Sequence, residues 1–144
     1  MEKLYREIIE LAPDAILFAD REGIIRLWNA GAEALFGFTA AEALGQSLDL
    51  IIPEKLRARH WEGYRRVMET GVTHYGKDLL SVPALHRQGT QLSSEFSIVM
   101  LRDEMGEVSG VAAILRDVTA RWQKEKQLKE RIAALEKIAS QAAG

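Results

Sequence analysis

His60 is the residue in this sequence whose type and setting point most directly to chemistry. It stands four positions after Leu56 and four before Tyr64, so on a helix the three share a face and the imidazole points at whatever that face covers. A neutral imidazole can donate an electron pair to a metal ion. Equally, a histidine on an apolar face can serve the core, hydrogen-bonded to a carbonyl. Gly63 lies one turn further along nearly the same face. Glycine inside a helix costs about 1 kcal/mol relative to alanine, which either a close helix–sheet approach or a gap for a flat ligand would explain. The chain has no cysteine, so disulfides, thiolate metal sites and cysteine-bound prosthetic groups are excluded. Any cofactor must be held by histidine, by carboxylate, or without a covalent or coordinate bond.

Other candidates carry less. Asp103 and Glu104 sit in a turn signal with no apolar setting to raise a carboxyl pKa, and read as solvated. Met100 alternates onto an inward strand face, where a thioether either fills core or acts as a second axial ligand. Tyr75 reads as an aromatic at a strand entrance, His74 as a turn residue and His86 as exposed beside a turn. Trp28 and Trp61 read as core and rim aromatics. No Gly-rich phosphate loop, zinc-ligand spacing or nucleophile elbow occurs, so the expectation is a protein that is not an enzyme.

The elements that must position His60 are legible from periodicity. The helix that carries it opens at Pro53-Glu54 and closes at Gly71, with Leu56, His60, Gly63, Tyr64, Val67 and Met68 on one face. Ahead of it, Leu4, Ile8 and Leu11 predict an amphipathic helix over residues 2–11 that stops before Pro13. Ala15 to Ala19 and Ile24 to Trp28 read as a hairpin. Asn29 caps a helix that Gly37 stops, and Thr39 with Glu42 forms a capping box for another short turn.

Three strands follow, Lys77 to Arg87, Thr90 to Leu101 and Val108 to Asp117. Leu92, Phe96, Ile98 and Met100 mark the buried face of the middle one, and Pro83 marks its strand as an edge or bulged. From Val118 onward Leu128, Ile132, Leu135 and Ala139 space a short heptad seam. The chain of 144 residues, 47% hydrophobic, suits one domain. Its division is an N-terminal amphipathic helix at 1–12, a core domain at 13–117 and a C-terminal helix at 118–144. A formal net charge of -2 supplies no electrostatic reason for nucleic acid or an anionic membrane surface as partner. With no long apolar run behind Met1, neither a signal peptide nor a membrane span is expected, and the chain reads as cytoplasmic.

The residues quoted so far resemble the PAS family over nearly the whole chain. Pro13-Asp14-Ala15, Asp20, Gly23, Trp28-Asn29, Ala32-Glu33, Phe36-Gly37 and Gly45 look like its opening half, Arg87, Gly89 and Thr90 like its strand-turn signature, and Asp117-Val118-Thr119 like its hinge into a signalling helix. The resemblance implies an α+β fold, with a five-stranded antiparallel sheet in order 2-1-5-4-3 and helices packed over one face around a ligand pocket.

Within the family, Pro53-Glu54, Arg59-His60, Tyr64, Arg66, His74, Arg87 and Gly89 resemble, without a gap, the haem-binding PAS domains of the FixL oxygen-sensor type. That resemblance implies haem b with His60 as the proximal iron ligand and Arg66 and His74 near the propionates, a pairing that suits guanidinium and carboxylate. The family's distal arginine is matched here by Leu80, so the distal side would be lined by Tyr75, Leu80, Phe96 and Ile98. An apolar distal side discriminates less among oxygen, carbon monoxide and nitric oxide. The implied role is a gas or redox sensor that signals through its C-terminal helix to a downstream protein, as a homodimer. The other readings are a PAS interaction module without haem, and a pocket holding another small ligand such as a non-covalent flavin.

Overall fold

Apolar residues on every second position make sheet faces, and the strands that carry them pair as one sheet. The structure is a computed structural model describing residues 1–73 and 79–143. In chain order it has helix α1 (Glu2–Leu11), strands β1 (Ala15–Asp20) and β2 (Ile25–Trp28), helices α2 (Ala30–Phe36) and α3 (Ala40–Ala43), and a single 3₁₀ turn (Leu48–Ile51). Helix α4 (Glu54–Thr70), strands β3 (Leu80–Leu85), β4 (Gln91–Arg102) and β5 (Val108–Asp117), and helix α5 (Thr119–Ala143) complete it. All strand pairs are antiparallel and the order is β2-β1-β5-β4-β3. This is the topology that the PAS resemblance implies, and β3, with Pro83, is one of its two edge strands. The start expected for β3, at Lys77, lies outside the described residues.

Registry places three rows of side chains on the inward face. Ala15, Leu115, Phe96 and Leu80 form one, Leu17, Ala113 and Ile98 the next, and Ala19, Val111 and Met100 the third. The core sits over the β1 end of these rows, where Leu17, Ala19, Ile25, Trp28, Ala32 and Phe36 are buried. Trp28 and Phe36 pack ring to ring at 5.3 Å, and the Trp28 indole donates to the Phe38 carbonyl at 2.9 Å.

Asn29 ties the N-terminal elements together. Its side-chain oxygen accepts from the Ala32 backbone N–H at 2.9 Å, capping α2, and from Ile16 at 2.8 Å. Its amide donates to the carbonyls of Ile9 at 2.8 Å and Asp14 at 3.1 Å, so one buried side chain fixes where α1 ends and β1 begins. Gly37 then stops α2 at a φ of 83°, a left-handed conformation that side-chain-bearing residues resist. The capping box of Thr39 and Glu42 is present.

At the output end, Asp117 accepts from the Thr119 N–H at 2.8 Å. The Thr119 hydroxyl accepts from the Ser93 N–H at 2.9 Å, and the Ser93 carbonyl accepts from Val118 at 2.8 Å. Arg121 pairs with Glu95. The root of α5 is thus fastened to β4, while the rest of the helix lies exposed, with Leu128, Ile132 and Leu135 each at least half accessible.

Candidate ligand-binding site

Helix α4 places a face of mixed aromatic and apolar residues toward the sheet, but only Met68 on it is buried. Leu56, His60, Trp61, Gly63, Tyr64 and Val67 are half-buried. Across from the well-packed β1 end, Leu80, Phe96, Ile98 and Met100 are half-buried as well. These two apolar, incompletely covered faces are the candidate lining; a finished core would bury them.

His60 is the polar member of this lining. Its Nδ1 is shut off from solvent with no hydrogen-bond partner among the described residues, a state a buried polar atom rarely keeps. Burial lowers its pKa below the usual histidine value, against a smaller opposing pull from the Asp49 carboxylate. The ring is therefore neutral at pH 7, the form that donates to a metal.

Its neighbours are held firmly. The Trp61 ring meets it edge-on at 4.8 Å and the Tyr64 ring lies 5.6 Å away. The Trp61 indole donates to Asp49 at 2.7 Å. The Tyr64 hydroxyl sits 2.5 Å from the Asp20 carbonyl and 3.2 Å from that of Ala19, bracing α4 on the end of β1. Burial, reinforced by Asp20 and Glu22, pushes the Tyr64 phenol upward, so it stays protonated and is the donor in that contact.

Gly63 lies in open surroundings. A Cβ added there would meet nothing within 4 Å, so the glycine is not accommodating a tight helix–sheet approach. Arg66 is not gathered with His60: six positions on, it is turned away from that face and pairs with Glu62 at 3.2 Å on the exposed side. The reach of its guanidinium toward a propionate, as the resemblance implies, is not the conformation seen. His74 and Tyr75 lie outside the described residues. His86, read as exposed, is half-buried, its ring edge against Gly37.

Two surface clefts of about 250 and 210 Å³ lie elsewhere. One is between α2, the start of β1 and the end of β5, and the other is where Arg21 and Arg102 meet the C-terminus of α4. Among the described residues no three His, Asp or Glu side chains converge on one point, and no helix is long and apolar enough to cross a membrane.

A five-stranded sheet with helices on one face, a half-covered lining and a helix fastened to the end of the last strand define a PAS-type sensory domain. The chain belongs to the PAS family: the family described as PAS fold matches residues 9–123. Among characterised relatives, sensor protein FixL of Bradyrhizobium diazoefficiens is 32% identical over 125 residues, 87% of this chain and 24% of that protein. The chain thus spans about a quarter of that relative's length. The PAS domain of a protein from Colwellia psychrerythraea matches with a TM-score of 0.72 at 25% identity, covering 83% of this chain and 98% of that one. An RNA-binding light-oxygen-voltage receptor shares the fold with a TM-score of 0.73 at 21% identity, covering 92% of this chain and 37% of that one.

Asp49 and Gly23 receive Trp61 from a distant loop and turn; sequence reasoning did not single out Asp49, and named Gly23 only for its part in the family resemblance. Asp49 follows Ser47 in a cap-like Ser-x-Asp pattern, and that cap is formed, with the Asp49 N–H donating to the Ser47 hydroxyl at 3.1 Å. The pattern signals a turn and gives no sign of an indole twelve residues away.

Proposed function

We propose that this is a haem-binding PAS sensory domain for a diatomic gas (oxygen, carbon monoxide or nitric oxide) or a redox signal, with His60 as the iron ligand. The observation that carries the reading is the half-buried, neutral imidazole of His60, whose Nδ1 is shut off from solvent without a hydrogen-bond partner among the described residues, set in a half-covered apolar lining with open space at Gly63. The FixL-type resemblance of the segment around it supports the same reading. The residues fit the group in donor type, protonation state and polarity. When bound, haem would supply an iron centre whose occupancy by a gas or oxidation state is the signal.

In this proposal the chain's own residues do the rest. His60 presents its ring to the iron; Leu80, Phe96, Ile98 and Met100 keep the opposite side apolar and exclude water. With Leu80 where the family has its distal arginine, no charged donor is offered there, and discrimination in favour of oxygen is weak. Strand β4 has Phe96 and Ile98 on its inward face and Ser93 and Glu95 on its other face against the root of α5, so a displacement of the lining bears directly on the helix. The role is binding and relay in the cytoplasm, with no catalysis, and the recipient is a downstream signalling protein.

The exposed stripes of α1 (Leu4, Ile8, Leu11) and α5 (Leu128, Ile132, Leu135, Ile138) support a homodimer. A ten-residue helix with no buried residue is marginal without a neighbour. Light scattering of the full chain is expected to report a dimer; a monomer at every concentration contradicts it.

The second reading is a PAS module that binds another small molecule, such as a non-covalent flavin. It is favoured by the fold shared with the light-oxygen-voltage receptor. One experiment separates the two: the full chain mixed with hemin is expected to give a sharp Soret band. A flat visible spectrum contradicts haem, and flavin fluorescence in an acid extract of the purified protein would establish the alternative.

A further inference from the structure

We infer that Gly23 and Asp49 seat Trp61, and that Trp61 and Tyr64 together hold the His60 ring in its ligand-presenting orientation, making the four of them positioning residues for His60. The inference rests on the proposed use of His60 as a ligand, and it reaches Asp49 and Trp61, which the resemblance does not assign.

The physical case begins with what does not hold His60. A ligating histidine usually has its second ring nitrogen fixed by a hydrogen bond, which sets both tautomer and ring angle. Here the Nδ1 of His60 has no such partner among the described residues. Orientation must therefore come from packing, and the two rings that supply it are edge-on Trp61 and tilted Tyr64. Those rings also contact one another, centroids 5.5 Å apart at 72°, so the three aromatics form one cluster on α4.

Each supporting ring is pinned at its polar end to a different part of the fold. Tyr64 is pinned to the carbonyls at the end of β1. Trp61 is pinned to Asp49, which itself sits in a 3₁₀ turn capped by Ser47. The far edge of the indole lies on Gly23, where an added Cβ would overlap the six-membered ring. Gly23 has a φ of 78°, so the β1–β2 turn and the indole seat make the same demand for glycine. An exposed rim tryptophan would need neither a carboxylate acceptor nor a cleared seat.

The test uses the full chain and three substitutions. Trp61→Phe keeps an aromatic edge beside His60 and loses the bond to Asp49; Asp49→Ala removes the acceptor; Asp49→Asn retains an acceptor oxygen without the charge. With thermal melts confirming that each variant is folded, the hemin dissociation constant is expected to rise roughly ten- to a hundred-fold in Trp61→Phe and Asp49→Ala, and to stay within about threefold in Asp49→Asn. A second readout does not depend on hemin. In NMR without hemin the parent and Asp49→Asn should show a slowly exchanging Trp61 indole N–H and His60 ring protons displaced by the neighbouring aromatic rings, whereas Asp49→Ala should lose the first and reduce the second. Folded Trp61→Phe and Asp49→Ala proteins that match the parent in hemin affinity and in the shifts of the His60 ring protons overturn the inference. A parent that ignores hemin sinks the haem reading alone, and the indole exchange and His60 ring shifts then decide the seat.

Discussion

The two halves of the sheet's inward face are built to different standards. Over β1 and β2, Ala15, Ala19, Ile25, Ala32 and Phe36 are at most 1% exposed, and even the polar Asn29 there has its hydrogen-bonding groups satisfied. On β3 and β4, Leu80, Phe96, Ile98 and Met100 are only half-buried, and on α4 a ring nitrogen of His60 has no hydrogen-bond partner among the described residues. Close packing and satisfied polar groups stabilise a fold, whereas a lining left partly open is what a ligand can complete. Under the proposed function, stability belongs to one half and sensing to the other.

Substitutions in the tight half should therefore cost most. Phe36→Ala leaves a cavity beneath Trp28 and is expected to destabilise the domain by about 4 kcal/mol, measured by urea unfolding. Phe96→Ala, of identical chemistry in the open half, should cost clearly less; equal costs would erase the distinction. Asn29→Asp keeps the shape and loses the amide that donates to Ile9 and Asp14, setting a carboxylate against carbonyl oxygens. At neutral pH a loss of about 3 kcal/mol is expected. The carboxyl pKa in the folded variant would be raised, so the loss should grow as pH rises above the unfolded value near 4. A flat difference from the parent between pH 3.5 and 7 would contradict this.

Smaller effects belong to the open half. Tyr64→Phe removes the donor that braces α4 on β1 and is expected to cost about 1 kcal/mol by the same unfolding measurement. His60 has a lowered folded-state pKa, so the unfolded chain takes up its proton first as pH falls. Its contribution is then neutral above the unfolded value near 6.5 and becomes destabilising as pH drops from there toward the folded pKa. His60→Gln should flatten the stability profile in that window relative to the parent; an unchanged slope would show that His60 is not buried neutral. The smallest effect is expected at the hinge. Arg121→Ala breaks an exposed ion pair that contributes little to stability, yet hydrogen exchange should quicken in the first turns of α5 and nowhere else.

Much of the tight half and the order of elements was legible in the sequence because their signals are local. Asn29, Gly37, Thr39 with Glu42, Pro53 and Gly71 mark helix ends by chemistry that acts over a few residues. The alternation of Leu92, Phe96, Ile98 and Met100 identified the inward face of β4. Strand order came from family resemblance, since no local rule specifies that β5 lies between β1 and β4. The site was legible only in part. Helical spacing put His60 and Tyr64 together on α4, but the support behind them comes from Gly23 and Asp49, brought close by the hairpin turn and the 3₁₀ turn. Arg66 shows the converse: alignment with a family position does not determine which way an exposed guanidinium turns, and here Glu62 one turn back holds it.

The division between a stabilising half and a sensing half is tested most directly by His60→Ala in the full chain, with melting temperature and hemin spectrum recorded on the same preparation. The account predicts a variant that melts close to the parent and has lost the Soret band the parent shows. A variant that binds hemin as the parent does, or that unfolds as readily as Phe36→Ala, would contradict it.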